Sequence, residues 1–243
     1  MDAPRILPAG DSAVIVEFGC EINAGINALV HALDKEIRKK NIQGVIETVP
    51  TFRSLEVVYD PCVISGDRLE NKLLKLCKPL TVVEAASKKI IEIPVLYGGS
   101  YGEDLADVAA YTGLSEEEVI KLHSGTDYLI YMLGFLPGFA YLGGMDERLN
   151  TPRLQNPRTK IHAGAVGIGG EQTGIYPLTS PGGWRLIGTT PIKPYDPERK
   201  IPILYSAGEY IRFKSVSEDE FKDIEEKVAN GVYKCKVTGG DSL

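Results

Sequence analysis

Between residues 134 and 191 the chain places 12 glycines and 6 prolines in 58 positions, 31% of that stretch, against 12% of the other 185 residues. A helix interior tolerates neither residue: glycine loses too much backbone entropy, and proline lacks the N–H and clashes with the preceding turn. The stretch is therefore expected to be short strands and tight turns, as in a barrel or sandwich. The apolar runs 130–135 (I-Y-M-L-G-F), 165–168, 184–187 and, further on, 210–213 are the expected strands.

The first third reads differently. Residues 13–18 (A-V-I-V-E-F) form a β-rich run closed by Gly19. A helix is expected over 23–40, because Ile22, Ile26, Leu29, Val30, Leu33 and Ile37 recur at three- and four-residue spacing. Lys35, Arg38, Lys39 and Lys40 crowd its last turns, where cations suit the helix dipole. Strands over 45–49 and 55–59 precede the Asp60-Pro61 turn signal, a second helix covers 67–78, and another strand covers 90–96. Residues 81–89 look like a join. After Gly98-Gly99 two short helices follow, the second opening with a Ser115/Glu118 capping box; a last helix opens at Ser217 with Glu220 and turns Phe221, Ile224 and Val228 inward. The fold class expected is α+β, with a small α+β domain over 1–88 and a β-rich domain over 89–243.

Charge and composition narrow the function. Lys and Arg number 27 against 33 Asp and Glu, a net charge of −6. Nucleic acid and polybasic membrane binding both need a basic face, so neither is expected. There is no run of 18 apolar residues, and the start, M-D-A-P-R, has no apolar signal region, so a cytoplasmic location is expected. Cys20, Cys62, Cys77 and Cys235 form no C-x-x-C pair and read as reduced, mostly buried thiols. His31, His123 and His162 have no i,i+4 partner, so no metal site is expected.

Two tempting motifs fail on inspection. Gly167-Ile-Gly-Gly-Glu-Gln-Thr-Gly174 invites a nucleotide-loop reading. A dinucleotide fingerprint must open a helix, and Ile-Tyr-Pro follows here. A P-loop needs Lys after its last glycine, where this chain has Ile175. Glycines at β-turns with positive φ are the stronger reading. No G-x-S-x-G elbow occurs, and Ser180-Pro-Gly-Gly-Trp184 reads as a turn entering a strand.

Three blocks remain: G-F-L-P-G-F-A-Y-L over 134–142, Q-T-G-I-Y-P over 172–177, and S-P-G-G-W-R-L-I-G-T-T-P over 180–191. With Gly10-Asp-Ser-Ala and Val49-Pro-Thr-Phe-Arg-Ser-Leu55, they make the chain resemble the KipI family, also labelled the 5-oxoprolinase B subunit, allophanate hydrolase subunit 1, or a carboxyltransferase-domain subunit. The resemblance covers nearly the whole chain. It implies that the β-rich domain is a cyclophilin-like barrel. It implies a non-autonomous hydrolase subunit that works with a KipA-type C subunit and a third, A-type subunit to open 5-oxo-L-proline to L-glutamate. ATP would activate the lactam, bound mainly by a partner subunit. The family alternatives are a KipI-type inhibitor of a sensor histidine kinase, or a partner in a urea carboxylase or allophanate hydrolase-like system. Two positions depart from the family pattern: His162 stands where Pro is frequent, and Thr189 where Arg is common.

Within that frame each candidate residue carries two readings. His123 is the catalytic candidate, a general acid or base, or else a helix-end residue bonded to backbone. Arg153 and Arg158 either bind a substrate carboxylate or tie loops together. Gln172, Thr173 and Tyr176 supply the amide, hydroxyl and phenol that lactam recognition needs, or else satisfy a turn and core. Phe135, Pro137, Phe139, Tyr141 and Trp184 line a cleft, face a partner, or fill the barrel core.

Overall fold

The glycine- and proline-rich stretch does become strands and turns. A computed structural model describes residues 4–80 and 88–239. The chain divides into two units, Met1–Ala86 and Ser87–Leu243. The join expected over 81–89 falls largely outside the described residues.

The first unit runs β1 (Arg5–Ala9), β2 (Ala13–Glu17), α1 (Ala24–Lys40), β3 (Val45–Pro50), β4 (Ser54–Tyr59) and α2 (Gly66–Cys77). Its strands form an antiparallel sheet in the order β1-β2-β4-β3. Alternate residues Val14, Val16, Leu55, Val57 and Tyr59 meet Val30, Leu33, Ile37, Leu69 and Leu73 from the two helices in one buried cluster. Full burial of each such side chain stabilises by about 1.5–3 kcal/mol. Helix α1 starts where Asn23 Oδ1 accepts from the Gly25 N–H (2.7 Å) and ends at Asn41 in the left-handed region. Strand β1, not expected from the sequence, carries Pro8. It forms at the sheet edge, pairing with β2 alone, where a residue without an N–H is tolerated.

The second unit contains β5 (Ile90–Tyr97), α3 (Leu105–Thr112), α4 (Glu116–Ser124), β6 (Asp127–Leu133), β7 (Ala140–Gly143), β8 (Arg158–Ile161), β9 (Ala165–Gly169), β10 (Gln172–Ile175), β11 (Ser180–Gly182), β12 (Arg185–Thr189), β13 (Tyr210–Ser215), α5 (Glu218–Ala229) and β14 (Val237–Thr238). The main sheet follows the path β10-β9-β12-β5-β13-β6-β7, with β14 also on β5. Its end strands β7 and β10 lie against each other, so the sheet curls into a nearly closed barrel. The β5–β13 pair is parallel and the rest are antiparallel. Strands β8 and β11 form a separate ribbon. Every strand of the path contributes to the interior, for example Ile93, Ile130, Leu142, Ile168, Ile175, Ile187 and Phe213. Both expected capping boxes are present, at Ser115/Glu118 and Ser217/Glu220. The α+β reading with a barrel in the second unit therefore stands.

The cysteines are a correction. Cys20 and Cys62 are exposed, Cys77 and Cys235 are half-buried, and none is a core residue. Cys20 and Cys62 fall in turns outside the strands and helices, and position in the fold outweighs the thiol's general preference for interiors. Burial pushes the thiols of Cys77 and Cys235 up to about 11, so both stay protonated near neutral pH. Among the described residues no helix is long and apolar enough to cross a membrane.

Candidate functional site

Successive residues of a strand point to opposite faces, and β9 and β10 use both. Val166, Ile168 and Ile175 join the barrel interior, whereas Ala165 and Tyr176 join a second cluster with Phe139, Ile161, Trp184 and Leu186. Glycines make room for the indole of this second cluster. A Cβ on Gly169 would lie 2.3 Å from Trp184 Cδ1, and one on Gly174 would lie 3.2 Å from Trp184 Cζ3. Only Gly170, with φ of +67°, sits at the β9–β10 turn in the left-handed region. The glycine run that resembles a phosphate loop is thus a β-hairpin that seats a tryptophan. Its Gly167, Ile168 and Gly169 pair across the ladder with Gly174, Thr173 and Gln172, so their backbone groups do not converge on an anion.

Trp184, Phe139, Tyr141, Tyr176, Phe135 and Arg153, with Pro181 and Gly182 of β11 and the following Gly183, line a cleft of about 160 Å³; the stretch expected to be a turn before Trp184 is a strand over Ser180–Gly182, paired with β8. The rings meet edge to face: Phe139 lies 5.6 Å from Trp184, 5.2 Å from Tyr141 and 5.7 Å from Phe135 by centroid. Tyr176 completes the set, 6.0 Å from Trp184. This geometry suits the aromatic quadrupole and fixes the walls. Burial pushes the Tyr176 phenol up, against the pull of a Trp184 backbone hydrogen bond and the Arg153 and Arg158 charges, so it serves as a neutral group. The Arg153 guanidinium stands over the Trp184 ring at 5.9 Å, a cation–π contact. Arg153 is exposed and has no carboxylate partner among the described residues. At the rim, Phe135 is 67% exposed and holds φ of +68°, a conformation a bulky residue rarely adopts.

Six of the residues singled out from the sequence, Phe135, Phe139, Tyr141, Arg153, Tyr176 and Trp184, therefore come together. The others do not. Pro137 is exposed on the neighbouring turn and does not line the cleft. Arg158 is already engaged: its Nη2 donates to Asp104 Oδ1 (2.8 Å), and Nε lies 3.1 Å from Glu103 Oε1. Asp104, buried, also accepts from the Leu186 N–H (2.6 Å), so Arg158 ties β8 to the start of α3 and to β12 rather than offering a free fork. Gln172 and Thr173 are neighbours in a strand and so point apart. Gln172 is half-buried outside the cleft lining, and Thr173 enters the barrel.

Thr173 meets His123 there. The Thr173 hydroxyl donates to the Gly167 carbonyl (3.0 Å), so it accepts from His123 Nε2 (2.7 Å). The proton then sits on Nε2, and Nδ1 accepts from the Tyr97 hydroxyl (2.8 Å). The imidazole is fully buried, stacked on Phe213 at 4.5 Å, and burial drives its pKa down to about 3. A proton-transfer role in contact with substrate needs access and a pKa near the working pH. His123 has neither, and its place is that of a neutral link binding α4 to β5 and β10. Tyr97 and Asp104, the partners of His123 and Arg158, carry no local sequence signal. The glycines at alternate positions 167 and 169 do: on a strand they leave one face bare for a large ring.

The two departures from the family pattern also meet. His162 Nε2 lies 3.0 Å from Thr189 Oγ1, and Thr189 donates to the Tyr101 carbonyl (2.7 Å).

Comparison with known proteins places this geometry. Residues 4–205 match the family described as "Carboxyltransferase domain, subdomain C and D". The chain is 42% identical to the B subunit of 5-oxoprolinase from Bacillus subtilis over 92% of its own length and 97% of that protein. Among solved structures it resembles TTHA0988, with 39% identity and a TM-score of 0.75. That match covers 84% of this chain but only 40% of the TTHA0988 chain. The Kluyveromyces lactis urea amidolyase shares the fold, with a TM-score of 0.80 at 22% identity over 98% of this chain and 16% of that one. By both fold and sequence, the chain belongs to the carboxyltransferase-domain family of 5-oxoprolinase B subunits.

Proposed function

We propose that this chain is the B subunit of an ATP-dependent 5-oxoprolinase, active only in company with its partners. The observation that carries this reading is its 42% identity to the Bacillus subtilis protein over 97% of that protein's length. In the proposed role the aromatic cleft holds the flat lactam ring of 5-oxo-L-proline against Trp184 and Tyr176. The unpaired Arg153 receives the substrate carboxylate. Neutral walls with a single cation at the mouth suit a small, flat monoanion. Among the described residues the stretch with phosphate-loop spacing is the β9–β10 hairpin. In this reading ATP is held by a partner subunit, and this chain's part is to hold and orient the lactam. The matched unit is one portion of the longer TTHA0988 and urea amidolyase chains, which agrees with a subunit that completes its site with further sequence.

The test is 5-oxoproline-dependent ATP hydrolysis by the purified chain, alone and with its candidate A and C subunits. Turnover is expected only from the assembly. An assembly without 5-oxoproline-dependent hydrolysis, or substrate-stimulated turnover from this chain alone, overturns the reading.

A further inference from the structure

A second cavity of the barrel unit, about 460 Å³ and larger than the aromatic cleft, opens beside the His162–Thr189 pair. Its polar lining is held in place. The Thr189 hydroxyl gives its proton to the Tyr101 carbonyl, so His162 Nε2 carries the proton of their shared hydrogen bond. His162 Nδ1 is left facing no protein partner among the described residues. Lys193 and Glu225 also line the cavity, yet no ion pair joins them. The ion-pair contact of Lys193, to Asp196, is a long 4.0 Å, and Glu225 has no ion pair among the described residues. Tyr101 and Phe221, edge to face at 5.1 Å, supply an apolar wall.

One cavity thus presents a cation and an imidazole, a carboxylate, and an apolar surface, with its charges uncommitted to each other. We propose that it binds a free α-amino acid, with Lys193 meeting the carboxylate, and Glu225 and the free Nδ1 of His162 accepting from the ammonium. A ligand with only a carboxylate leaves Glu225 unpaired and repelling; one with only an amine leaves Lys193 unanswered. A zwitterion satisfies both, and hydrogen bonds between charged groups are the stronger kind. The Thr189–Tyr101 link fixes the imidazole before binding, which lowers the ordering cost. This inference stands apart from the 5-oxoprolinase reading: a silent ATPase alongside intact amino-acid binding overturns only that reading.

The experiment is titration calorimetry on the full chain with L-glutamate and glutarate; glutarate lacks an ammonium group. Glutamate is expected to saturate, with glutarate roughly tenfold weaker or more. Glu225→Gln should bring glutamate down to the level of glutarate, while Lys193→Met weakens both. Both side chains are exposed, so neither change threatens the fold. No saturable binding of glutamate, equal binding of glutamate and glutarate, or an unchanged affinity in Glu225→Gln would overturn the proposal.

Discussion

Strand β10 turns opposite chemistries to its two faces. Inward, Thr173 joins a hydrogen-bonded chain from Tyr97 through His123 to the Gly167 carbonyl, in which every polar atom has a partner and no group is charged. Outward, Gly174 leaves room for the Trp184 ring, and Tyr176 just past the strand lines a cleft that leaves a guanidinium without a carboxylate and an aromatic ring in solvent. Buried polar groups must be satisfied or they destabilise, so the inner chain is closed and serves the fold. A binding surface must keep unspent interactions for its ligand, and only the outer face has them. Completeness of hydrogen bonding, more than residue type, separates the closed histidine chain from the open arginine here.

The sharpest way to break this comparison is to open the inner chain. His123→Ala removes a buried ring and strands the Tyr97 hydroxyl. It should cost about 3–5 kcal/mol in chemical denaturation of the purified chain, from the cavity and the orphaned hydroxyl together. Activity of the assembled enzyme should then fall only with the folded fraction. A variant that melts like the parent but fails in catalysis would return His123 to the reaction. Arg153→Met is the converse. Because Arg153 is exposed, the melting temperature should hold. Loss of a charge-assisted contact worth about 1.5–3 kcal/mol should lower kcat/KM for 5-oxoproline roughly 10- to 150-fold. Unchanged kcat/KM in the reconstituted complex would remove the arginine from the site.

The same contrast explains what was legible in the sequence. Periodicity exposed α1, α2 and the strands with several apolar residues, and the Ser–x–x–Glu signals placed α4 and α5, because these depend on near neighbours. Strands β7, β8, β10, β11 and β14 have four residues or fewer, too short to show alternation. Residue type found the aromatic cleft, since Phe139, Tyr176 and Trp184 are each recognisable alone. It could not tell Arg153 from Arg158. The difference lies in Asp104, 54 residues from Arg158, which occupies one guanidinium and leaves the other free. Grouping Gln172 with Thr173 failed for a simpler reason: adjacent strand residues face opposite ways.

Acid provides a gentler probe of the inner chain. Burial lowers the His123 pKa to about 3, whereas in the unfolded chain an imidazole takes its proton near 6.5. The unfolded state therefore binds more protons between these values. Stability from this group is complete above about pH 6.5 and is lost as the pH falls toward 3, by up to about 1.4 kcal/mol per unit. His123→Gln keeps a donor and an acceptor but cannot titrate. Urea unfolding at pH 7, 6 and 5 should show a shallower loss in this variant than in the parent. Equal slopes would mean that the imidazole is charged or solvated in the native state.

The smallest effect expected is at the cleft rim, and it sharpens the outer half of the comparison. Phe135 holds a left-handed backbone conformation that costs a bulky residue on the order of 1 kcal/mol, while two-thirds of its surface remains in water. Its ring meets Phe139 edge to face. Asparagine adopts the same conformation readily. If the ring is kept for a ligand or partner, Phe135→Asn should leave the isolated chain unchanged or stabilise it by about 0.5–1 kcal/mol. The same change should weaken 5-oxoproline-dependent turnover or assembly with the partner subunits. If the ring instead serves the fold, the variant should melt earlier and assemble normally. Thermal melting of the isolated chain and activity of the assembly, measured on one preparation, give opposite signs for the two cases.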